Sequence, residues 1–172
     1  MKGTIVKCLE GMVQSRFGDE KWKQILVKAG KPAVQRFTAL EVVPDGEVMK
    51  LIDASCSVLG IAAAQAFDAF GEFWSTKYAP EIYGVYFEKA KNAREFILNL
   101  DHVHTVMTRT SGAQPPHFTY TWKSDRELVI GYNSPRNLVA LMPGLLRGVA
   151  KYYRERLDVS VVGNDVTVRF AA

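Results

Sequence analysis

The stretch HFTYTWKSDRELVIGY, His117–Tyr132, decides the fold. Two runs rich in aromatic and β-branched residues, HFTYTWK and ELVIGY, alternate in polarity on either side of the turn signal Ser124-Asp125, so the period of two predicts a β-hairpin. Further on, VSVV and VTVRF repeat the pattern around Gly163-Asn164 and predict a second hairpin. Between them lies one more predicted helix, from about Pro135 to Leu157.

Upstream of Pro115-Pro116 the period changes to that of helices. Ile5, Leu9, Met12 and Val13 recur at helical spacing from Thr4 to Phe17, with Gly18 as the stop. Asp19 opens a second helix to about Ala29, and Pro44-Asp45 a third that ends near Gly60. IAAAQAFDAFGEFWSTKY reads as an apolar helix with an aromatic side made by Phe67, Phe70, Phe73 and Trp74, broken at Pro80 and followed by a short irregular segment. NAREFILNLDHVHTVMTRT then predicts one uninterrupted helix ending before Ser111-Gly112. Helices first, then strands with an inserted helix, is the order of an α+β fold with an antiparallel sheet.

The chain has 172 residues, 48% of them hydrophobic, and a net charge of +4. That is enough chain for one domain with its own core. Lys and Arg are scattered rather than run together, so the mild basicity does not point to nucleic acid. MKGTIVKCLEGM lacks the apolar run of a signal peptide, and no window reaches the roughly 18 apolar residues of a membrane span, which predicts a soluble, cytoplasmic protein. Cys8 and Cys56 have neither CxxC spacing nor a nearby His and read as thiols, not as a disulfide or a zinc site.

At about 100° per residue, Ala93, Ile97, Leu100, His104 and Met107 fall on one stripe of their helix, while His102 is rotated about 160° away beside Glu95, Asn99 and Arg109. His104 therefore points into the core and His102 into solvent. No carboxylate is expected on that stripe one turn away. Two readings stay open for His104: a core histidine satisfied from elsewhere, or a metal ligand, for which a haem iron would need only this one neutral imidazole.

In GYNSPRN, Gly131–Asn137, a continued strand would put Tyr132, Ser134 and Arg136 on one face, a phenol, a hydroxyl and a guanidinium suited to carboxylates. Equally, Ser134-Pro135 is a good N-cap and first-turn pair, so NSPR could start the following helix. The two are compatible, because a helix N-terminus also favours an anion. An apolar body with acidic groups at its edge and an iron for His104 describes a haem with its two propionates.

Tyr132-Asn133-Ser134-Pro135-Arg136, preceded by DHVH on a helix and by the PP pair, together with MKGTIV at the start and GLLRGVAKYY in the last helix, resembles the haem nitric oxide/oxygen binding (H-NOX) family over essentially the whole chain. The resemblance implies a single sensor domain over 1–172, a helical part of about 1–62 and a haem-cradling part of about 63–172, with haem b buried between them. It implies His104 as the proximal iron ligand and Tyr132, Ser134 and Arg136 as propionate contacts. Pro116 would press on the porphyrin, and Ile5, Trp74, Leu141 and Leu145 would line the distal pocket. Attachment is non-covalent, since there is no CxxCH. No zinc is expected, because the cysteines of the family's zinc site have no counterpart after Cys56.

The function so implied is not enzymatic. It is a bacterial haem sensor that binds NO, and also CO, and signals through the iron–histidine bond to a histidine kinase, a cyclic-di-GMP enzyme or a fused chemotaxis receptor. The alternative is a haem sensor that also binds O2 or senses redox state. Leu141 stands where O2-holding members carry a tyrosine, which implies NO selectivity; Trp74, near a second distal polar position, could supply a donor. A peroxidase or oxygenase would want a distal His or Glu, which the apolar runs lack. A non-haem module binding an amphiphilic acid would leave His104 idle.

Overall fold

The computed structural model describes residues 1–109 and 114–171. The chain divides into two compact units, Met1–Phe70 and Gly71–Ala172. In the first, α1 (Gly3–Phe17), α2 (Asp19–Lys28) and α3 (Asp45–Leu59) enclose a core of Val6, Leu9, Val13, Trp22, Ile25, Val48 and Leu51. Their limits follow the predicted stops: Gly18 and Gly60 take positive φ, +85° and +67°, which a residue with a Cβ adopts at a cost. α4 (Ala63–Phe73) leads into the second unit.

That unit contains α5 (Ala79–Lys89), α6 (Ala93–Leu98), α7 (Leu100–Thr108), β1 (His117–Ser124), β2 (Glu127–Asn133), α8 (Met142–Tyr152), β3 (Leu157–Val162) and β4 (Asp165–Phe170). The four strands form one antiparallel sheet in the order β1-β2-β4-β3, with both predicted hairpins in place and β2 joined to β4 at the centre. Phe118 on β1, Leu128, Ile130 and Tyr132 on β2 and Val166 and Val168 on β4 bury one face. Phe87, Phe96, Ile97, Leu146 and Val149 from the helices complete that core. The fold is α+β, as the order of periodicities predicts. Among the described residues no helix is long and apolar enough to cross a membrane.

Three helix boundaries differ from the expectation. Pro80 does not end the apolar helix: a π-helical segment, Trp74–Tyr78, carries α4 directly into α5, where Pro80 occupies the first turn, the part of a helix that tolerates proline best. The irregular segment predicted after it is therefore helical, kinked at Tyr83 (φ −129°, ψ 23°). The inserted helix begins at Met142, after a 3-10 turn at Val139–Leu141, and not at Pro135. Lastly, the helix expected to run unbroken from Asn92 is capped by the Asn92 side chain on the Glu95 N–H, but divides at Asn99 (φ −97°, ψ 0°) into α6 and α7. The Tyr120 hydroxyl enters this gap, donating to the Ile97 carbonyl at 3.0 Å and facing the Asp101 backbone N–H. A side chain inserted into the i to i−4 ladder is a recognised cause of such a break. The predicted stop at Ser111-Gly112 lies outside the described residues.

The end of α4 and the π-helical segment meet α8 backbone to backbone. A Cβ on Gly71 would lie 2.3 Å from the Leu145 nitrogen, and one on Gly148 2.8 Å from the Ser75 Cβ. Ser75 Oγ, buried at this contact, donates to the Leu145 carbonyl at 3.0 Å. Neither glycine has room to give, because its neighbours are backbone or short side chains. Gly71→Ala is expected to lower stability by about 2–3 kcal/mol through overpacking. Gly84→Ala on α5, whose new methyl would meet only Glu88 Oε1 at 3.7 Å, should raise it by up to about 1 kcal/mol. Urea denaturation midpoints of the two variants check the contrast.

Candidate functional site

His104 lies on the inner side of α7, one turn before the end of the helix, where the Thr108 hydroxyl donates to its carbonyl at 2.7 Å. The helical phasing holds: Ala93 and Ile97 are fully buried, His104 and Met107 half-buried, and His102 exposed. The imidazole rests on Phe118 of β1, ring centroids 5.4 Å apart, and Phe118 in turn on Tyr132, 6.0 Å apart, its direct register partner on β2. Its Nδ1 is buried and has no hydrogen-bond partner among the described residues. Desolvation lowers the His104 pKa, opposed by the nearby Asp101 carboxylate, and this favours the neutral ring that a metal needs.

The His104 stripe carries no carboxylate partner, as expected: Asp101 lies about 60° off it and gives Nδ1 no hydrogen bond. It stands three residues earlier and acts on the ring through space, while its Oδ1 accepts the Phe118 N–H at 3.1 Å and lies 3.5 Å from His117 Nδ1. Asp101 and Phe118 are the site residues that sequence reasoning missed. The i−3 spacing of Asp101 was legible, whereas the stacking of Phe118 on His104 depends on where β1 passes under α7.

Tyr132 is buried near the end of β2, and its N–H donates to the Asn164 carbonyl at 2.8 Å. Beyond it the expectation is corrected. β2 ends at Asn133, so Ser134 and Arg136 belong to a turn closed by the Asn137 N–H on the Ser134 carbonyl at 3.2 Å, with Asn137 at φ +49°. Ser134 Oγ accepts the Arg136 N–H at 3.3 Å. Ser134 therefore caps no helix, and no helix N-terminus is available here for an anion. Pro135 sets the first corner of the turn instead. The Arg136 guanidinium donates to the Gln114 carbonyl, which ties this turn to the segment carrying half-buried Pro116.

Trp74 opens the π-helical segment, its ring centroid 5.6 Å from that of Tyr78 and 6.4 Å from that of Tyr83. Leu141 closes the 3-10 turn and Leu145 lies on the first turns of α8; both are half-buried, and the Ser75–Leu145 bond holds the two segments together. Ile5 is half-buried on α1 in the other unit. Among the described residues no group of three or more His, Cys, Asp or Glu could hold a metal ion. A single neutral imidazole suffices as protein donor where a macrocycle supplies the metal's other ligands. A flat, largely apolar group with acidic edges suits a neutral imidazole over phenyl rings with Tyr132 and Arg136 near the sheet end.

Comparison with known proteins agrees. A family model described as Haem-NO-binding matches residues 2–161. The chain is 27% identical over 159 residues to soluble guanylate cyclase gcy-37 of Caenorhabditis elegans, covering 90% of this chain and 22% of that protein. Soluble guanylate cyclase gcy-32 of the same organism is 25% identical over 175 residues, 98% of this chain and 25% of its own length. The chain thus spans about a quarter of the length of these curated relatives. Among solved structures it is similar to a Cs H-NOX mutant carrying 4-cyano-L-phenylalanine at site 5, with a TM-score of 0.90, 22% identity, and 100% and 97% of the two chains covered. It is also similar to an H-NOX protein from S. oneidensis in the Fe(II)NO ligation state, with a TM-score of 0.88, 19% identity and both chains covered completely. An oxygen-binding H-NOX domain related to soluble guanylate cyclases shares the fold at a TM-score of 0.83 and 22% identity, over 100% and 96% of the chains. By the match over residues 2–161, the chain belongs to the haem-NO-binding family, and haem is its cofactor.

Proposed function

We propose that residues 1–172 act as one cytoplasmic, bacterial haem sensor domain that selects NO over O2. The observation that supports this reading is the His104 ring, whose Nδ1 is buried with no hydrogen-bond partner among the described residues and whose pKa burial lowers, so that this imidazole would hold the iron. When bound, haem would supply a ferrous iron able to take a diatomic gas. The rest is done by the chain. Tyr132, Ser134 and Arg136 receive the propionates, Pro116 bears on the porphyrin, and Ile5, Trp74, Leu141 and Leu145 surround the gas. Arg136 carries most of the propionate contact, since its guanidinium adds a charge-assisted bond to one already anchored on Gln114.

Selectivity rests on what the distal side chains can donate. Leu141 and Leu145 have no N–H or O–H, so a polar bound O2 gains nothing from them, whereas NO needs no donor. Trp74 is the one donor of the set. Its aromatic neighbours Tyr78 and Tyr83 support a packing role, and an indole turned toward the gas would favour the second reading, a sensor that also holds O2 or reports redox state. A gas held at the haem would be sensed through His104, and α7, which carries that residue, would pass the change to an output partner, a histidine kinase, a cyclic-di-GMP enzyme or a fused chemotaxis receptor. CO binds at the same place.

Three outcomes are expected. His104→Gly should bind haem only when imidazole is added, and His102→Ala should bind as the parent does; haem absorption after purification decides this, and the reverse pattern removes His104 from the iron. Arg136→Ala should release haem to a scavenging apoglobin about tenfold faster than the parent, on the scale of one charge-assisted bond, and Ser134→Ala much less. Equal rates would leave the turn with a structural role only. The reduced protein should keep its ferrous spectrum on brief exposure to air, while Leu141→Tyr should acquire a new stable spectrum; a spectral change of that kind in the parent would establish O2 binding and point to Trp74.

A further inference from the structure

Alternate residues of β1 face the helix pair in order. Phe118 lies against His104 on α7, Tyr120 enters the α6–α7 gap, and Trp122 faces Arg94 at the start of α6. Two residues of strand advance about 6.6 Å, so the strand meets the two helices at three spaced points. The upper point is firm: the Arg94 guanidinium lies 4.8 Å from both the Trp122 and the Phe170 ring, and donates to the Asp125 carbonyl at 2.5 Å. α6 is further held by burial of Ala93, Phe96 and Ile97. On α7 only Val103 is fully buried among the described residues. Beyond its tie to β1 through the Phe118 N–H on Asp101 Oδ1 (3.1 Å), α7 takes its direction from where it leaves α6.

From this geometry we infer that Tyr120 is the positioning residue for His104: its hydroxyl, donating to the Ile97 carbonyl, holds open the break at Asn99 and so fixes the direction in which α7 presents the imidazole. In an unbroken helix the Ile97 carbonyl would accept the Asp101 N–H directly. The phenol donates to the first of these groups and lies toward the second, which keeps them apart. Burial raises the phenol pKa to about 12, so the hydroxyl stays protonated and able to donate across the physiological range. Without it, α6 and α7 are free to join as one helix, which would swing the ring of His104 relative to Phe118.

This inference rests on the reading of His104 as the iron ligand, and the test separates the two. The iron–imidazole stretching band is recorded by resonance Raman spectroscopy on ferrous haem-loaded protein, in the parent, in Tyr120→Phe, and in both again in the His104→Gly background with imidazole added. Tyr120→Phe is expected to retain haem and to shift the band in the native background, yet leave it unmoved in the His104→Gly background, where the imidazole is not attached to α7. Tyr153→Phe, which loses a similar phenol bond to the Phe87 carbonyl (2.6 Å), should leave the band unmoved. An unshifted band in Tyr120→Phe, or an equal shift with and without the covalent link to α7, overturns the positioning role. If His104→Gly instead holds haem with its band intact and without imidazole, it is the ligand assignment that fails.

Discussion

A ring nitrogen taken out of water must be given a partner or cost stability, and at His104 the described protein supplies none to Nδ1. Much of the second unit is arranged so that this ring stays buried and neutral. The sheet provides Phe118 beneath it, Tyr132 behind Phe118, and the apolar face formed by Leu128, Ile130, Val166 and Val168. Asp101, the nearby carboxylate, is engaged by the Phe118 N–H, which tempers the pull of its charge toward imidazolium. An iron in a macrocycle needs from the protein one neutral donor, which is the use proposed for this imidazole.

Two kinds of contact hold the elements around that ring. At one, side chains are absent: Gly71, Gly144, Gly148 and Ser75 let the π-helical segment and α8 approach until backbone meets backbone, which fixes Trp74 and Leu145 relative to each other. Elsewhere, large side chains with polar tips do the joining. Tyr120 reaches the α6–α7 gap, Tyr153 reaches the Phe87 carbonyl, and Arg94 lies against Trp122 and Phe170. Each ties a helix to the sheet or to the end of α8 by a part-buried hydrogen bond or a ring contact, with geometry narrower than apolar packing alone would impose.

The π-helical segment belongs to the same logic. One widened turn lets Trp74 and Tyr78 share an aromatic contact just before Pro80 enters the first turn of α5, and such segments recur where helices carry functional groups. The Ser134–Asn137 turn is its counterpart at the sheet end. A strand that stopped being a strand at Asn133 leaves Arg136 free to reach back to Gln114, and thereby binds the two sides of the site's polar edge.

Periodicity in the sequence was enough to determine the α+β class, both hairpins with their turns, the first three helices and the inward phase of His104, because each depends on residues within a few positions of one another. The resemblance carried by Tyr132, Ser134 and Arg136 with His104 was equally legible and led to the family. What the tertiary structure alone decided was where local patterns are overruled by distant groups. Nothing between Asn92 and Thr108 announces a break at Asn99, since the hydroxyl that opens it comes from Tyr120 on a strand. Ser134-Pro135 is a sound helix start by composition, but the chain turns first, with Arg136 bonded to Gln114, and the helix waits until Met142. Pro80 follows a π-helical turn and falls in the first turn of α5, where proline is tolerated. At Asn99 and at Ser134 the competing interaction is long-range, and a bond between residues so far apart in sequence leaves no period to read.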